Sequence, residues 1–204
     1  MNMNLQEYPK FIQLKNREQI MLRLMVPEDE ERLLKFFRTV PFEDRQVMRE
    51  DTTDPEIIKR WVNEIDYDRV FPVIAEHRGR IIGDATLHMK QFGWQRHVGE
   101  IRIVIAKEFR GKGLGKVMIH ELINKATGIG LHHIQLSLVA TQVKEIKVFE
   151  RMGFKKIATL PKYVMDVNGH EHDLIIMTTR VSDIWKRMEE LIQETEIDII
   201  RGVQ

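Results

Sequence analysis

Cysteine is absent from all 204 residues, which excludes a disulfide framework, a thiol nucleophile and any zinc site built on thiolates. An excess of charge of one sign is also missing: 32 Lys and Arg stand against 31 Asp and Glu. Non-specific nucleic-acid binding needs a broad basic face, so no nucleic-acid partner is expected. Apolar runs last only a few residues, far short of the ~20 that a membrane helix requires, and no membrane association is expected. The opening MNMNLQEYPK lacks the apolar stretch of a secretion signal, which makes the cytoplasm the expected location. No repeat, low-complexity tract or Ser/Pro-rich linker marks a strong domain boundary. What remains, 43% hydrophobic and 31% charged residues, describes an ordinary globular domain.

Periodicity orders the chain. Phe11 to Met25 reads as a hairpin turning near Asn16, Arg17 and Glu18. Pro27 opens a helix with acids in its first turn and Leu33, Phe36, Phe37 and Val40 behind. Asp54 and Pro55 start another, with Ile58, Trp61, Val62 and Ile65 on one face. Val70 to Met89 reads as two strands turning at His77-Arg78-Gly79, and Val98 to Ala106 alternates as a third. In that strand Ile101, Ile103 and Ile105 face one way, and Glu100, Arg102 and Val104 the other. A helix with Ile119, Leu122, Ile123 and Ala126 at its spacing ends near Gly128 or Gly130. HIQLSLVA is a strand, QVKEIKVFERM a helix stopped by Gly153, and Lys155 to Arg180 a hairpin about Asn168-Gly169. A last helix runs from a Ser182 cap through SDIWKRMEELIQETEIDII. The expected class is α/β with a mixed sheet, residues 1–180 forming one domain and 181–204 a helical extension. That extension either docks on the domain or pairs with a second subunit, and a homodimer stays open.

Arg110 to Lys116, RGKGLGK, places three glycines and three basic residues between a strand and a helix. A Walker A loop would need Gly at Arg110 and Ser or Thr at Val117. A dinucleotide fingerprint started at Gly111 would need Gly at Lys116. Glycines let successive N–H groups point into one concavity, and the helix start adds partial positive charge. With Lys107, Arg110, Lys112 and Lys116 around it, that concavity suits a pyrophosphate.

Arg110-Gly111-Lys112-Gly113-Leu114-Gly115 fits the [QR]-x-x-G-x-[GA] signature, and Phe149-Glu150-Arg151-Met152-Gly153-Phe154 is similar to the Y-x-x-x-G-F segment that follows it one strand later. With the closing hairpin, residues 19–180 resemble the GNAT superfamily of acyl-CoA N-acyltransferases. The resemblance implies a mixed, largely antiparallel sheet with helices on both faces, and acetyl-CoA as acyl donor. Backbone N–H groups of Gly111, Lys112, Gly113, Leu114, Gly115 and Lys116 would take the pyrophosphate beside Arg110. The edge of Ile103, Val104 and Ile105 would pair with the pantetheine arm, and Gln142 and Phe149 of the next helix would border the cofactor. Acetyl transfer to a primary amine is implied, of a protein lysine or N-terminus or of a small molecule. The catalytic base would be Glu100, acting through water, with a backbone N–H near Val104 or Ile105 steadying the oxyanion. Phe149 stands where many members carry a Tyr that donates a proton, Gln142 where an Asn is frequent, and Glu145 where an Ala is. Tyr163, Ser137 or solvent are the remaining donors, and a non-catalytic acyl-CoA binding module is the rival reading.

Glu64 to Glu76, EIDYDRVFPVIAE, is more weakly similar to the acetyltransferase domains of bacterial protein-lysine acetyltransferases. Asp84 and His88 either line an acceptor pocket or are hydrogen-bonded sheet surface, and Trp94 is a candidate acceptor contact. Glu28, Asp29, Glu30 and Glu31 suit a helix start before they suit a cationic ligand. His170 and His172 have i, i+2 spacing beside a turn, but no metal is expected.

Overall fold

The computed structural model describes residues 8–14, 16–193 and 198–200. Strands β1 (Lys10–Gln13) and β2 (Gln19–Leu24) form the first hairpin. A 3-10 turn over Pro27–Asp29 leads into α1 (Glu30–Thr39), and the short α2 (Phe42–Arg45) precedes α3 (Pro55–Asn63). Then come β3 (Val70–His77), β4 (Arg80–His88), β5 (Val98–Ile105), α4 (Leu114–Gly128), β6 (His133–Val139), α5 (Val143–Arg151), β7 (Lys155–Met165), β8 (Glu171–Arg180), α6 (Val181–Gln193) and β9 (Asp198–Ile200). The local signals act as expected: the Asp54 side chain caps α3 by accepting from the Glu56 N–H. Gly130, at φ 74°, turns the chain out of α4 while the Leu131 N–H donates back to Ala126.

One sheet contains all nine strands, in the order β7-β8-β6-β5-β4-β3-β2-β1-β9. Every neighbouring pair is antiparallel except β5 with β6. The mixed, largely antiparallel sheet and its helices match the expectation. Gly83 marks the faces, since a Cβ on it would lie 3.0 Å from Met118 Sδ. Gly83 therefore faces α4, and Asp84 the opposite side, where α1 covers β4. The buried stripes of α1 (Leu33, Phe36, Phe37) and α4 (Leu114, Val117, Met118, Leu122) seal the two faces.

The C-terminal segment differs from a single helix. Val181, Ile184, Met188 and Leu191 are buried against the domain, and Trp185 lies 5.5 Å from the His120 ring of α4. Helix α6 stops at Gln193, residues 194–197 lie outside the described set, and β9 pairs with β1. Helical spacing in EIDII does not exclude a strand, because an open sheet edge offers backbone partners the helix lacks. No helix among the described residues is long and apolar enough to cross a membrane.

Gly99, where β5 begins to pair with β6, is fixed by space. An added Cβ would lie 2.6 Å from Leu87 Cδ1 and 2.8 Å from Leu131 Cδ1. Gly99→Ala is expected to cost about 1–3 kcal/mol by overpacking, read as a lower denaturant midpoint at unchanged m-value. An unchanged midpoint would show that the two leucines yield freely.

Candidate active site

Strand β5 is held differently on its two edges. Pairing with β4 extends to Gly83 opposite Ile105, whereas pairing with β6 covers only Val98, Gly99 and Glu100. From Ile101 onward the sheet opens. The Ala106 N–H donates to Ile82 O at 2.8 Å, so alternation turns the amides of Val104 and Arg102 toward β4 as well. The amides of Ile103 and Ile105 are left on the opened edge. Val104, expected on this edge with them, presents its side chain beside it while its N–H is spent on the ladder.

The glycine loop closes the wide end of the opening. Gly111 and Gly113 have φ of 73° and 91°, the left-handed region where a side chain is strained. Gly113 is the N-cap of α4, and a Cβ on Gly115 would come within 3.0 Å of Ile105 Cδ1. The helix start therefore lies directly beside the open strand edge. Lys116 and Val117 N–H groups both return to Gly113 O, and those of Gly111, Lys112, Gly113, Leu114 and Gly115 have no partner among the described residues. A cradle of unpaired donors at a helix N-terminus fits a pyrophosphate.

Two basic side chains of the loop have structural partners. Arg110 donates from Nε to Ile105 O at 2.8 Å and pairs with Asp44 of α2 at 2.8 Å. Lys112 pairs with Glu18 at 3.2 Å and lies 4.9 Å over the Phe109 ring. Arg110 thus fastens the loop to the strand, and Lys107 and Lys116 are left without partners among the described residues. Gln142 accepts from the Val139 N–H at 2.9 Å, closing the end of β6. Phe149 is buried edge-on to Phe154, with ring centroids 5.4 Å apart.

Glu100, His88, Arg102, Thr86, Val104 and Asp84 share the sheet face covered by α1, in three cross-strand pairs. The Glu100 carboxylate is engaged by Arg49, from the segment between α2 and α3, and lies 3.8 Å from Arg102. Glu50 of the same segment pairs with Arg60 and accepts from Trp61 Nε1. Burial pushes His88 down to about 4, with Arg102 and Arg49 adding to the effect, so it is neutral near pH 7. Asp84 is not hydrogen-bonded sheet surface: it is buried, and burial raises its carboxyl to about 7. Its Oδ1 has no hydrogen-bond partner. Trp94 is 85% exposed in the loop after β4, and Tyr163 and Ser137 lie on β7 and β6. His170 and His172 both turn to Asp166, at 3.4 and 3.0 Å. Among the described residues no group of three or more His, Cys, Asp or Glu could hold a metal ion.

Of this arrangement the sequence left unseen the segment that carries Asp44 and Arg49. No periodic or motif signal marks it, since its residues act through partners more than 50 positions away.

Residues 32–154 match the model of the acetyltransferase (GNAT) family. The chain belongs to that family. It is similar to the ribosomal protein bS18-alanine N-acetyltransferase of Salmonella typhimurium, 29% identical over 39% of this chain and 53% of that one. It is also similar to the L-amino acid N-acyltransferase MnaT of Escherichia coli, 26% identical over 45% of this chain and 55% of the relative. The chain thus spans about half the length of the curated relatives it matches. Among solved structures, Mycobacterium smegmatis RimJ in complex with CoA-disulfide shares the fold with a TM-score of 0.75 at 16% identity, over 96% of this chain and 98% of that one. A GNAT-family acetyltransferase of Streptococcus pneumoniae shares it with a TM-score of 0.69 at 22% identity, over 79% and 99%.

Proposed function

We propose that the protein transfers an acetyl group from acetyl-CoA to a primary amine in the cytoplasm. The observation that carries this reading is the opened edge of β5, ending at a glycine-lined helix start with unpaired N–H groups. The loop from Gly111 to Lys116 takes the pyrophosphate, and the amides of Ile103 and Ile105 meet the pantetheine arm as a neighbouring strand would. The thioester carbonyl then lies by the same edge, where one of these N–H groups steadies the developing oxyanion. The amine arrives from the α1 side, which carries Glu100, the base by resemblance. Both named relatives carry an α-amino acceptor in their names, which favours an α-amine over a lysine side chain. With no hydroxyl at Phe149, the leaving thiolate takes its proton from solvent.

The test has two stages. Acetyl-CoA at 100 times its Kd is expected to stabilise the fold by about 2.7 kcal/mol, while ATP at the same concentration does not. Thiol release is then followed with an alanine-initiated peptide, L-methionine and spermidine as acceptors. Protection without thiol release would favour the rival, a non-catalytic acyl-CoA binding module, which the missing hydroxyl at Phe149 supports. Protection by ATP alone would overturn both.

A further inference from the structure

On the face that receives the amine, β4 and β5 carry two carboxylates in opposite situations. Glu100 is engaged by Arg49 and faces Arg102, and it precedes Val104 by four residues, about 13 Å along a strand. Asp84 stands directly across from Val104 on β4, the strand that pairs with the closed edge of β5, and shares with Val104 the face covered by α1. It has no ion pair or hydrogen bond among the described residues, and its Oδ1 is buried and unpartnered. An unpaired buried carboxylate is costly to keep unless something uses it.

We infer that Asp84, and not Glu100, takes the proton from the acceptor amine, with the Glu100–Arg49 pair holding the 46–54 segment at the entrance. This rests on the transferase reading above. The amine nitrogen attacks the thioester carbonyl carbon, the C–N bond forms and the C–S bond breaks. Of the two protons the ammonium loses, one passes to Asp84 and on to solvent and the other goes to solvent directly, and the coenzyme A thiolate takes one proton from solvent. A carboxyl shifted by burial to about 7 is matched to this task at neutral pH. The surroundings leave that titration undisturbed. In the same row, β3 presents Ile74, and β2 Arg23, which is tied to Asp29 and Glu76. Along the face stand Thr86, neutral His88 and Arg102, the last turned to Glu100. The helix α1 buries Leu33, Phe36 and Phe37, and its Arg32 is paired with Glu76 and Asp29.

The test compares Asp84→Asn with Glu100→Gln in the full chain, using whichever of the three amines named above turns over. The wild-type kcat/KM is expected to fall below pH 7 along a one-proton limb. Asp84→Asn lowers kcat/KM at pH 8 by about 10²-fold or more and removes that limb, whereas Glu100→Gln keeps it. Undiminished stabilisation of Asp84→Asn by acetyl-CoA shows that the cofactor site is intact. A retained limb in Asp84→Asn, or its loss in Glu100→Gln, overturns the inference while the transferase reading stands. Binding of acetyl-CoA without turnover by the wild type overturns both.

Discussion

Gly113→Glu is expected to abolish stabilisation by acetyl-CoA, raising the dissociation constant by at least about 100-fold. Two effects act in the same direction. At φ 91° this residue caps α4, so a Glu side chain there strains the turn that aims the N–H groups. A carboxylate at the helix start also occupies the place of the pyrophosphate and repels it. In wild type a ligand at 100 times Kd contributes about 2.7 kcal/mol, which for a chain of this size is roughly 5–10 °C in Tm. Differential scanning fluorimetry of wild type, Gly113→Glu and Gly113→Asn separates the causes, because Asn tolerates the left-handed conformation and brings no charge. Asn is expected to retain most of the shift. An undiminished shift in the Glu variant would place the cofactor elsewhere.

The second large effect lies at the far edge of the face covered by α1. Arg23 of β2 forks onto Asp29 at 2.6 and 2.7 Å and reaches Glu76 of β3 at 3.0 Å, while Arg32 of α1 closes on Glu76 at 2.6 Å. The Asp29 oxygen also accepts from the Val26 N–H at 3.0 Å. This network joins the 3-10 turn, α1 and two strands through a residue only 1% exposed. Asp29→Ala leaves Arg23 largely buried without its main partner and is expected to cost about 3–5 kcal/mol, or roughly 10 °C. Burial works to raise the Asp29 carboxyl, but Arg23, the Val26 N–H and Arg32 together hold it below its ordinary value. Glu76 is held low in the same way, burial being outweighed by Arg32 and Arg23. A depressed folded-state value stabilises above the unfolded pKa of ~4 and is lost as pH falls. Wild-type stability should therefore decline below about pH 5, more steeply than that of Asp29→Ala. Equal slopes would mean that the network contributes nothing to acid sensitivity.

Much of the fold was legible because its signals are local. Asp54 before Pro55, the stripes of α1 and α4, and Gly130 and Gly153 after helices each act through neighbours within one turn. The glycine loop was legible for the same reason: its φ values and its place between strand and helix belong to seven consecutive residues. Less legible were groups whose environment is made by distant chain. Glu100 reads as a base in its strand, but Arg49, far back in the sequence, engages its carboxylate. Asp84 and His88 read alike as strand-face polar residues, and burial drives one up and the other down. Val104 reads as an edge residue, yet its N–H points into the ladder with β4.

The sequence by itself determined most of the elements, the glycine cradle and the family, since these depend on spacing and on backbone conformations that particular residues permit. Only the tertiary structure decided where β5 and β6 part, which amides remain on the open edge, and which carboxylate on the face covered by α1 lacks a partner. Those outcomes depend on desolvation and pairing between segments that meet only when the sheet closes, and no local pattern carries that information.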